Sequence, residues 1–207
     1  MNINALLASH KLLSDQISSS ELGVVLEKLD TVLSNNIPGD IVEFGCYIGT
    51  TSHFIRRLLD AHHQSNTRAF HVYDSFEGLP PKSQQDSNAA GEAFRAGELA
   101  ISKKRFLATF QKAGLTPPIT HKAWFDTLTP QDVPNQIAFA FLDGDFYDSI
   151  RTSLTLVWPQ LSKGGVVVIH DYKRAELPGV ERAVQDFFKD KPAPKLRVER
   201  GIGILLA

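Results

Sequence analysis

Short apolar runs alternate along the chain with longer segments of helical periodicity. This alternation is typical of βα units built around a largely parallel sheet. It predicts seven strands, at residues 41–44, 70–73, 119–122, 137–142, 166–169, 195–198 and 202–206. It also predicts six helices, at residues 4–16, 20–34, 51–61, 99–113, 148–161 and 180–189.

The last two predicted strands are separated only by Glu199, Arg200 and Gly201. So short a connection requires an antiparallel pair, because a parallel crossover needs a dozen residues or more. We therefore expect one α/β domain over residues 1–207, with a seven-stranded, mostly parallel sheet, an antiparallel last strand and helices on both faces. Two helices within residues 1–36 precede the first strand.

Residues 75–97 form a long connection that is polar and rich in glycine and proline. Loops of this length are commonly functional lids or disordered segments. Because this one directly follows the second strand, at the carboxyl side of the sheet, we predict a lid.

Composition and charge disfavour several classes of protein. The 207 residues carry 22 Lys and Arg against 23 Asp and Glu, so no basic field favours a nucleic-acid partner. The longest apolar run, residues 137–142, is far too short to span a membrane. Cys46 is the only cysteine, which excludes an intramolecular disulfide. With no signal-peptide pattern at the N-terminus, these features favour a cytoplasmic protein.

In an open α/β sheet, ligands bind beyond the carboxyl ends of the strands, so the residues there are the candidates for chemistry. After the first strand, Gly45 and Gly49 permit a tight turn and a close approach of a ligand to the backbone. Such a turn is also common in α/β proteins without this role. No lysine follows, which excludes a P-loop, and Tyr47 occupies the place of a dinucleotide-binding glycine. Glu43 favours a cationic ligand group over a phosphate.

The second and third strands end in residues that suit a nucleoside. Asp74 could accept hydrogen bonds from ribose hydroxyls, or it could cap a turn. Trp124 and Phe125 could pack against an adenine, or they could be core aromatics. Position alone leaves both alternatives open.

The fourth and fifth strands end in an acidic cluster. Asp143, Asp145 and Asp148 follow the fourth strand, and His170 and Asp171 follow the fifth. Oxygen-rich clusters of this kind suit Mg²⁺. Asp148 fits better as the N-cap of the next helix. Ordinary turn and cap chemistry remains the alternative for the other acids.

Five segments of the chain resemble the macrocin O-methyltransferase family of class I S-adenosylmethionine-dependent methyltransferases, which have a Rossmann-like fold. They are VEFGCYIGTTS at 42–52, YDSFEGLP at 73–80, WFDTL at 124–128, FLDGDFYDS at 141–149 and GGVVVIHDY at 164–172. The second and fourth are the most specific, whereas the glycine turn is shared by the whole superfamily.

The resemblance implies a role for each matched residue. Asp145 would be the general base, and Asp143, His170 and Asp171 would hold Mg²⁺. At position 170 the family more often has an aspartate, where this chain has a histidine. The residues implied to line the S-adenosylmethionine site are Glu43, Phe44, Gly45, Tyr47, Gly49, Thr50, Thr51, Asp74, Ser75, Phe76, Trp124, Phe125 and Asp143.

The function that follows is Mg²⁺-dependent O-methylation of a hydroxyl on a small molecule, a sugar or a glycosylated natural product. Two alternatives stay open, namely methylation of catechol-like phenols and a non-catalytic module that only binds the cofactor. A nucleic-acid methyltransferase is disfavoured by the charge balance. The apolar positions of the N-terminal helices could form a homodimer interface.

Overall fold

The computed structural model describes residues 1–87, 94–192 and 194–207. Residues 88–93, in the centre of the predicted lid, lie outside this description. The strands of the described chain are β1 (Asp40–Phe44), β2 (Phe70–Asp74), β3 (Ile119–Lys122), β4 (Ile137–Leu142), β5 (Leu161–Ile169), β6 (Lys195–Glu199) and β7 (Ile202–Leu206). The helices are α1 (Ile3–Ser9), α2 (Ser19–Ser34), α3 (Thr50–Ala61), α4 (Lys103–Ala113), α5 (Tyr147–Val157) and α6 (Pro178–Phe188).

All seven strands join one sheet in the order β3-β2-β1-β4-β5-β7-β6. The pairs among β1 to β5 are parallel, and β7 runs antiparallel to both β5 and β6. The predicted fold class is confirmed. The strand order reverses between β1 and β4, and this is the point at which doubly wound sheets bind their ligands.

The strands at the centre of the sheet are buried on both faces because helices cover each side. Along β4, Phe139 and Phe141 pack into the core formed with α2, α3 and α4, whereas Ala140 and Leu142 pack into the core formed with α5 and α6. This explains why β4 is a continuous apolar run instead of an alternating one.

The predicted helix over residues 4–16 is wrong in extent, because α1 already ends at Ser9. His10 is extended, and the following residues run towards the carboxyl edge of the sheet. There Ser14 Oγ lies 3.1 Å from Thr50 Oγ1, at the start of α3. The contacts of this segment therefore override its helical pattern.

The predicted N-cap role of Asp148 is also wrong. Helix α5 begins at Tyr147, so Asp148 lies inside its first turn. The backbone N–H of Tyr147 is instead capped by Asp86 Oδ1, 2.7 Å away in the lid segment. A cap that comes from a distant residue leaves no local signal in the sequence.

Three further boundaries differ from the prediction by four residues or more. Helix α4 begins at Lys103 because Ser102 caps it, and α5 ends at Val157, where a 3₁₀ turn with Pro159 follows. Strand β5 then begins at Leu161, before the predicted residue 166.

The apolar positions of α2 pack into the chain's own core, against α1, α3, β4 and β5. The expected homodimer stays a prediction. No helix in the described part of the chain is long and apolar enough to cross a membrane.

Candidate active site

The loop after β1 brings the backbone close to the end of β4. Gly45 has φ +87°, and a Cβ at this position would overlap the carbonyl oxygen of Asp143. Gly49 has φ +94°, and a Cβ there would come within 2.9 Å of the Phe106 ring. Both positions therefore require glycine, for backbone conformation and for packing.

A cleft opens beyond the carboxyl ends of β1, β2, β4 and β5. It encloses about 730 Å³ including the solvent at its mouth, which is the size range of small-molecule sites. The predicted site residues that line this cleft are Gly45, Tyr47, Asp74, Ser75, Trp124, Phe125, Asp143, Asp145, His170 and Asp171.

The other predicted cofactor residues do not line the cleft and are buried next to it. Phe44 is fully buried and stacks on Tyr73, with ring centroids 4.5 Å apart. Phe76 packs against Phe106 in the opposite core. Thr50 and Thr51 are buried in the first turn of α3, which Gly49 precedes as the N-cap.

Glu43 is also buried, behind the glycine turn. Its Oε2 accepts a 2.5 Å hydrogen bond from Ser52 Oγ, while Oε1 has no partner among the described residues. Burial raises the pKa of Glu43 well above its ordinary range, and the carboxylates of Asp143 and Asp74 raise it further.

Asp74 joins the turns that follow β1 and β2. Its Oδ2 accepts from the backbone N–H of Cys46 at 2.8 Å, and its Oδ1 accepts from the N–H of Phe76 at 2.7 Å. The turn-capping role that the sequence left open is therefore present. Each carboxylate oxygen can accept a second hydrogen bond, and Asp74 also lines the cleft.

Phe125 and Trp124 are half-buried and form one side of the cleft. The rings of Phe125 and Phe44 form a T-shaped pair, with centroids 5.2 Å apart and an interplanar angle of 81°. Phe125 thus contacts the core and still presents surface to the cleft, and Trp124 lines the cleft beside it.

Asp143, His170 and Asp171 meet where β4 and β5 end, and their ligand atoms lie within 4.8 Å of one another. His170 Nδ1 is 2.8 Å from Asp143 Oδ1 and 3.1 Å from Asp171 Oδ2. Two carboxylates and an imidazole that converge in this way form a donor set that a divalent cation could use.

The charges of this cluster act strongly on one another. Burial raises the pKa of Asp145 well above its ordinary value, and the carboxylates of Asp143 and Asp171 add to the effect. Burial lowers the pKa of His170, but these two carboxylates outweigh burial and raise it well above its ordinary value. For Asp171, His170 and Arg174 outweigh burial and lower the pKa.

Several residues of the cleft were not predicted individually. Six of them lie inside the quoted motifs, so their proximity was available from the sequence; they are Cys46, Gly78, Leu79, Pro80, Gly144 and Ser149. Gln16 reaches the cleft only because residues 10–18 are not helical, and no sequence signal indicated this. Leu99, the remaining unpredicted residue, lies outside the quoted motifs.

Comparison with curated proteins finds relatives from two Streptomyces species. A 4'-O-methyltransferase from Streptomyces olivaceus, named for 8-demethyl-8-(2,3-dimethoxy-alpha-L-rhamnosyl)-tetracenomycin-C, is 37% identical over 150 residues, covering 70% of this chain and 57% of the relative. Demethyldecarbamoylnovobiocin O-methyltransferase from Streptomyces niveus is 29% identical, covering 83% of this chain and 66% of the relative. The chain thus spans less than two thirds of the length of these relatives.

Solved structures agree on the fold. The structure of the O-methyltransferase NovP superposes with a TM-score of 0.78 at 28% identity, covering 92% of this chain and 80% of that one. The calicheamicin methyltransferase CalS11 superposes with a TM-score of 0.71, covering 99% of this chain and 89% of that one. Its 19% identity supports the fold alone.

Residues 16–196 match the family described as macrocin-O-methyltransferase. This match covers most of the chain, including the glycine turn, Asp74, the two cleft aromatics and the acid–histidine cluster of Asp143, His170 and Asp171. The chain belongs to the macrocin-O-methyltransferase family.

Proposed function

We propose that the protein is an S-adenosylmethionine-dependent O-methyltransferase that acts on a hydroxyl of a small molecule, a sugar or a glycosylated natural product. The observation that carries this proposal is a single cleft that joins a nucleoside-type half, with Asp74 and Trp124, to the cluster of Asp143, Asp145, His170 and Asp171. The names of the relatives support a sugar-bearing acceptor, since one is named for a rhamnosyl-tetracenomycin.

The cofactor half of the cleft is suited to a ribose, an adenine and a sulfonium group. The free lone pairs of Asp74 would accept hydrogen bonds from the ribose hydroxyls, and Trp124 and Phe125 would border the adenine. Gly45 and Tyr47 would line the methionine portion, close to the carboxylate of Asp143. When bound, S-adenosylmethionine supplies an already activated methyl group, so the protein has to orient the acceptor oxygen and remove its proton.

Asp143, His170 and Asp171 would hold a divalent metal, for which Mg²⁺ is the ion implied by the family resemblance. When bound, such an ion would lower the pKa of an acceptor hydroxyl and orient its oxygen. Asp145 lines the cleft next to these residues and is proposed as the general base, with a carboxylate oxygen receiving the hydroxyl proton.

The proposal is tested by calorimetry with S-adenosylhomocysteine and by methyl transfer to a panel of rhamnosides, sugar diols and catechols. We expect micromolar binding of S-adenosylhomocysteine and turnover on a glycosylated acceptor. Turnover on catechols alone would assign the phenol class instead. Binding without turnover on any hydroxyl acceptor would favour the non-catalytic module, and absence of binding would refute the methyltransferase.

Asp145→Asn tests the proposed base. The variant keeps the size of the side chain but removes its negative charge, so we expect turnover to fall at least 100-fold while S-adenosylhomocysteine binding stays within threefold. Asp148→Asn is the matched control, because Asp148 follows the same strand but is exposed in the first turn of α5. Equal turnover in the two variants would remove Asp145 from the role of base.

We further propose a cytoplasmic location. It is supported by the buried thiol of Cys46, which forms no disulfide, and by the bacterial biosynthetic enzymes among the relatives.

A further inference from the structure

His170 places a nitrogen ligand between two carboxylates of the acid–histidine cluster. Its Nδ1 lies 2.8 Å from Asp143 Oδ1 and 3.1 Å from Asp171 Oδ2. The residue is only 3% exposed, so the ring cannot turn out to solvent without opening the site. An ion that both carboxylates bind at these positions therefore also meets the imidazole.

The surroundings fix which ring nitrogen faces the ion. Nε2 of His170 is buried and has no hydrogen-bond partner among the described residues, whereas Nδ1 faces both carboxylates. The backbone N–H of His170 donates to the carbonyl of Leu142 at 3.0 Å, which holds the residue to the end of β4. Arg174 binds Asp171 Oδ1 at 3.2 Å and leaves Oδ2 beside His170.

We propose that this cluster selects a divalent first-row transition ion, with Mn²⁺ as the representative, over Mg²⁺, and that His170 Nδ1 is a ligand. Mg²⁺ is a hard ion that prefers oxygen ligands and gives up its waters reluctantly. Imidazole nitrogen suits first-row transition ions better than Mg²⁺, whereas Mn²⁺ and Mg²⁺ are both suited to carboxylate oxygens, so the single imidazole is the ligand that separates these two ions here. The inference rests on the proposed function, because it concerns the metal of the same site.

The test measures metal binding directly, without turnover. Free Mn²⁺ is titrated by electron paramagnetic resonance, and Mg²⁺ is added as the competitor. In the wild-type protein we expect Mn²⁺ to bind at least tenfold more tightly than Mg²⁺. Bound Mn²⁺ should also show the spin-echo modulation of a directly coordinated ¹⁴N nucleus.

Two variants and a control assign the effect to His170. His170→Asp supplies an oxygen ligand, so we expect the Mn²⁺ to Mg²⁺ affinity ratio to fall at least fivefold and the ¹⁴N modulation to disappear. His170→Asn offers an oxygen without added charge and should also lower the affinity ratio. It therefore keeps the test available if the aspartate variant does not fold. His63→Asp is the control, because exposed His63 lies beyond α3 at the opposite end of the sheet, where the same charge change should alter neither quantity.

An unchanged affinity ratio in folded His170 variants, or bound Mn²⁺ without ¹⁴N modulation in the wild type, would overturn the inference. Calorimetry with S-adenosylhomocysteine in the presence of a chelator distinguishes failure of the metal inference from failure of the proposed function. Cofactor binding without Mn²⁺ selectivity defeats the metal inference alone. Mn²⁺ selectivity with ¹⁴N modulation but without cofactor binding supports the metal inference and refutes the methyltransferase.

Discussion

His53 couples the stability of the core to pH. It is buried in α3, where Nε2 lies 2.8 Å from Thr109 Oγ1 and the ring packs against Phe110. Burial lowers the pKa of His53 to about 4, and the charge of Arg57 contributes. Between pH 6.5 and 4 the unfolded chain therefore binds a proton that the folded protein excludes, so stability falls as the pH falls through this range.

This single group should cost up to about 3 kcal/mol of unfolding free energy between pH 7 and pH 4. His53→Gln keeps a polar atom near Thr109 but does not titrate, so the pH dependence should be smaller by that amount. The measurement is urea unfolding at pH 7, 5.5 and 4, with exposed His63→Gln as the control. Parallel pH profiles for wild type and His53→Gln would contradict the assignment.

A substitution of Gly45 tests whether the close approach of the loop after β1 to the end of β4 shapes the cleft. Gly45→Ala introduces a Cβ that overlaps the Asp143 carbonyl oxygen, in addition to the strain of a positive φ. The φ strain alone costs about 1 kcal/mol. Displacement of the Asp143 backbone should add at least as much again and should weaken S-adenosylhomocysteine binding at least tenfold.

Gly201→Ala is the matched control for this substitution. Gly201 has φ +84°, close to the +87° of Gly45, but nothing lies within 4 Å of a Cβ placed there. Denaturant unfolding and calorimetry of both variants separate backbone strain from displacement of the site. If the two alanine variants behave alike, the contact between Gly45 and Asp143 does not shape the cofactor site.

Among the elements, the described part of the predicted lid, residues 75–97, is anchored through Asp86. This buried carboxylate caps α5 through the N–H of Tyr147, at 2.7 Å, while its Oδ2 accepts from the backbone N–H and hydroxyl of Ser83. Gly179 at the start of α6 allows the approach, because a Cβ there would overlap Asp86 Oδ1. One side chain thus connects this segment to the beginnings of two helices.

Asp86→Asn replaces one acceptor oxygen by a donor and should lower the unfolding free energy by about 1–3 kcal/mol. It should also speed proteolytic cleavage within residues 75–97. Asp132→Asn is the control, because Asp132 makes the same local capping contacts with Thr129 but is exposed and caps no helix outside its own turn. Equal cleavage rates in the two variants would show that Asp86 does not hold the lid.

The same anchoring explains which elements were predictable. The strands and the order of the site residues followed from apolar runs, because buried parallel strands must be apolar on both faces and their carboxyl ends share one edge. The start of α5 depends on Asp86, 61 residues earlier, and the end of α1 on contacts such as that of Ser14 with Thr50. Gln16 lines the cleft because α1 ends early, and neither a local pattern nor a motif could have placed it there.

At the scale of the whole molecule, the cleft is built from both halves of the sheet and from the N-terminal segment. Asp74 and Trp124 come from the half with β2 and β3, Asp143 and His170 from the half with β4 and β5, and Gln16 from before α2. A ligand that contacts all three binds only the folded chain. Its binding free energy therefore adds to the stability of the entire domain.

We expect S-adenosylhomocysteine at 100 times its dissociation constant to add about 2.7 kcal/mol to the unfolding free energy. For a domain of this size that corresponds to a rise in Tm of roughly 5–10 °C, measured by thermal scanning as a function of ligand concentration. Trp124→Ala removes a half-buried side chain of the cleft lining, so it should keep most of the ligand-free Tm and lose most of the rise. A rise that is as large in Trp124→Ala as in the wild type would place the ligand elsewhere, since only contacts made in the folded state can produce the shift.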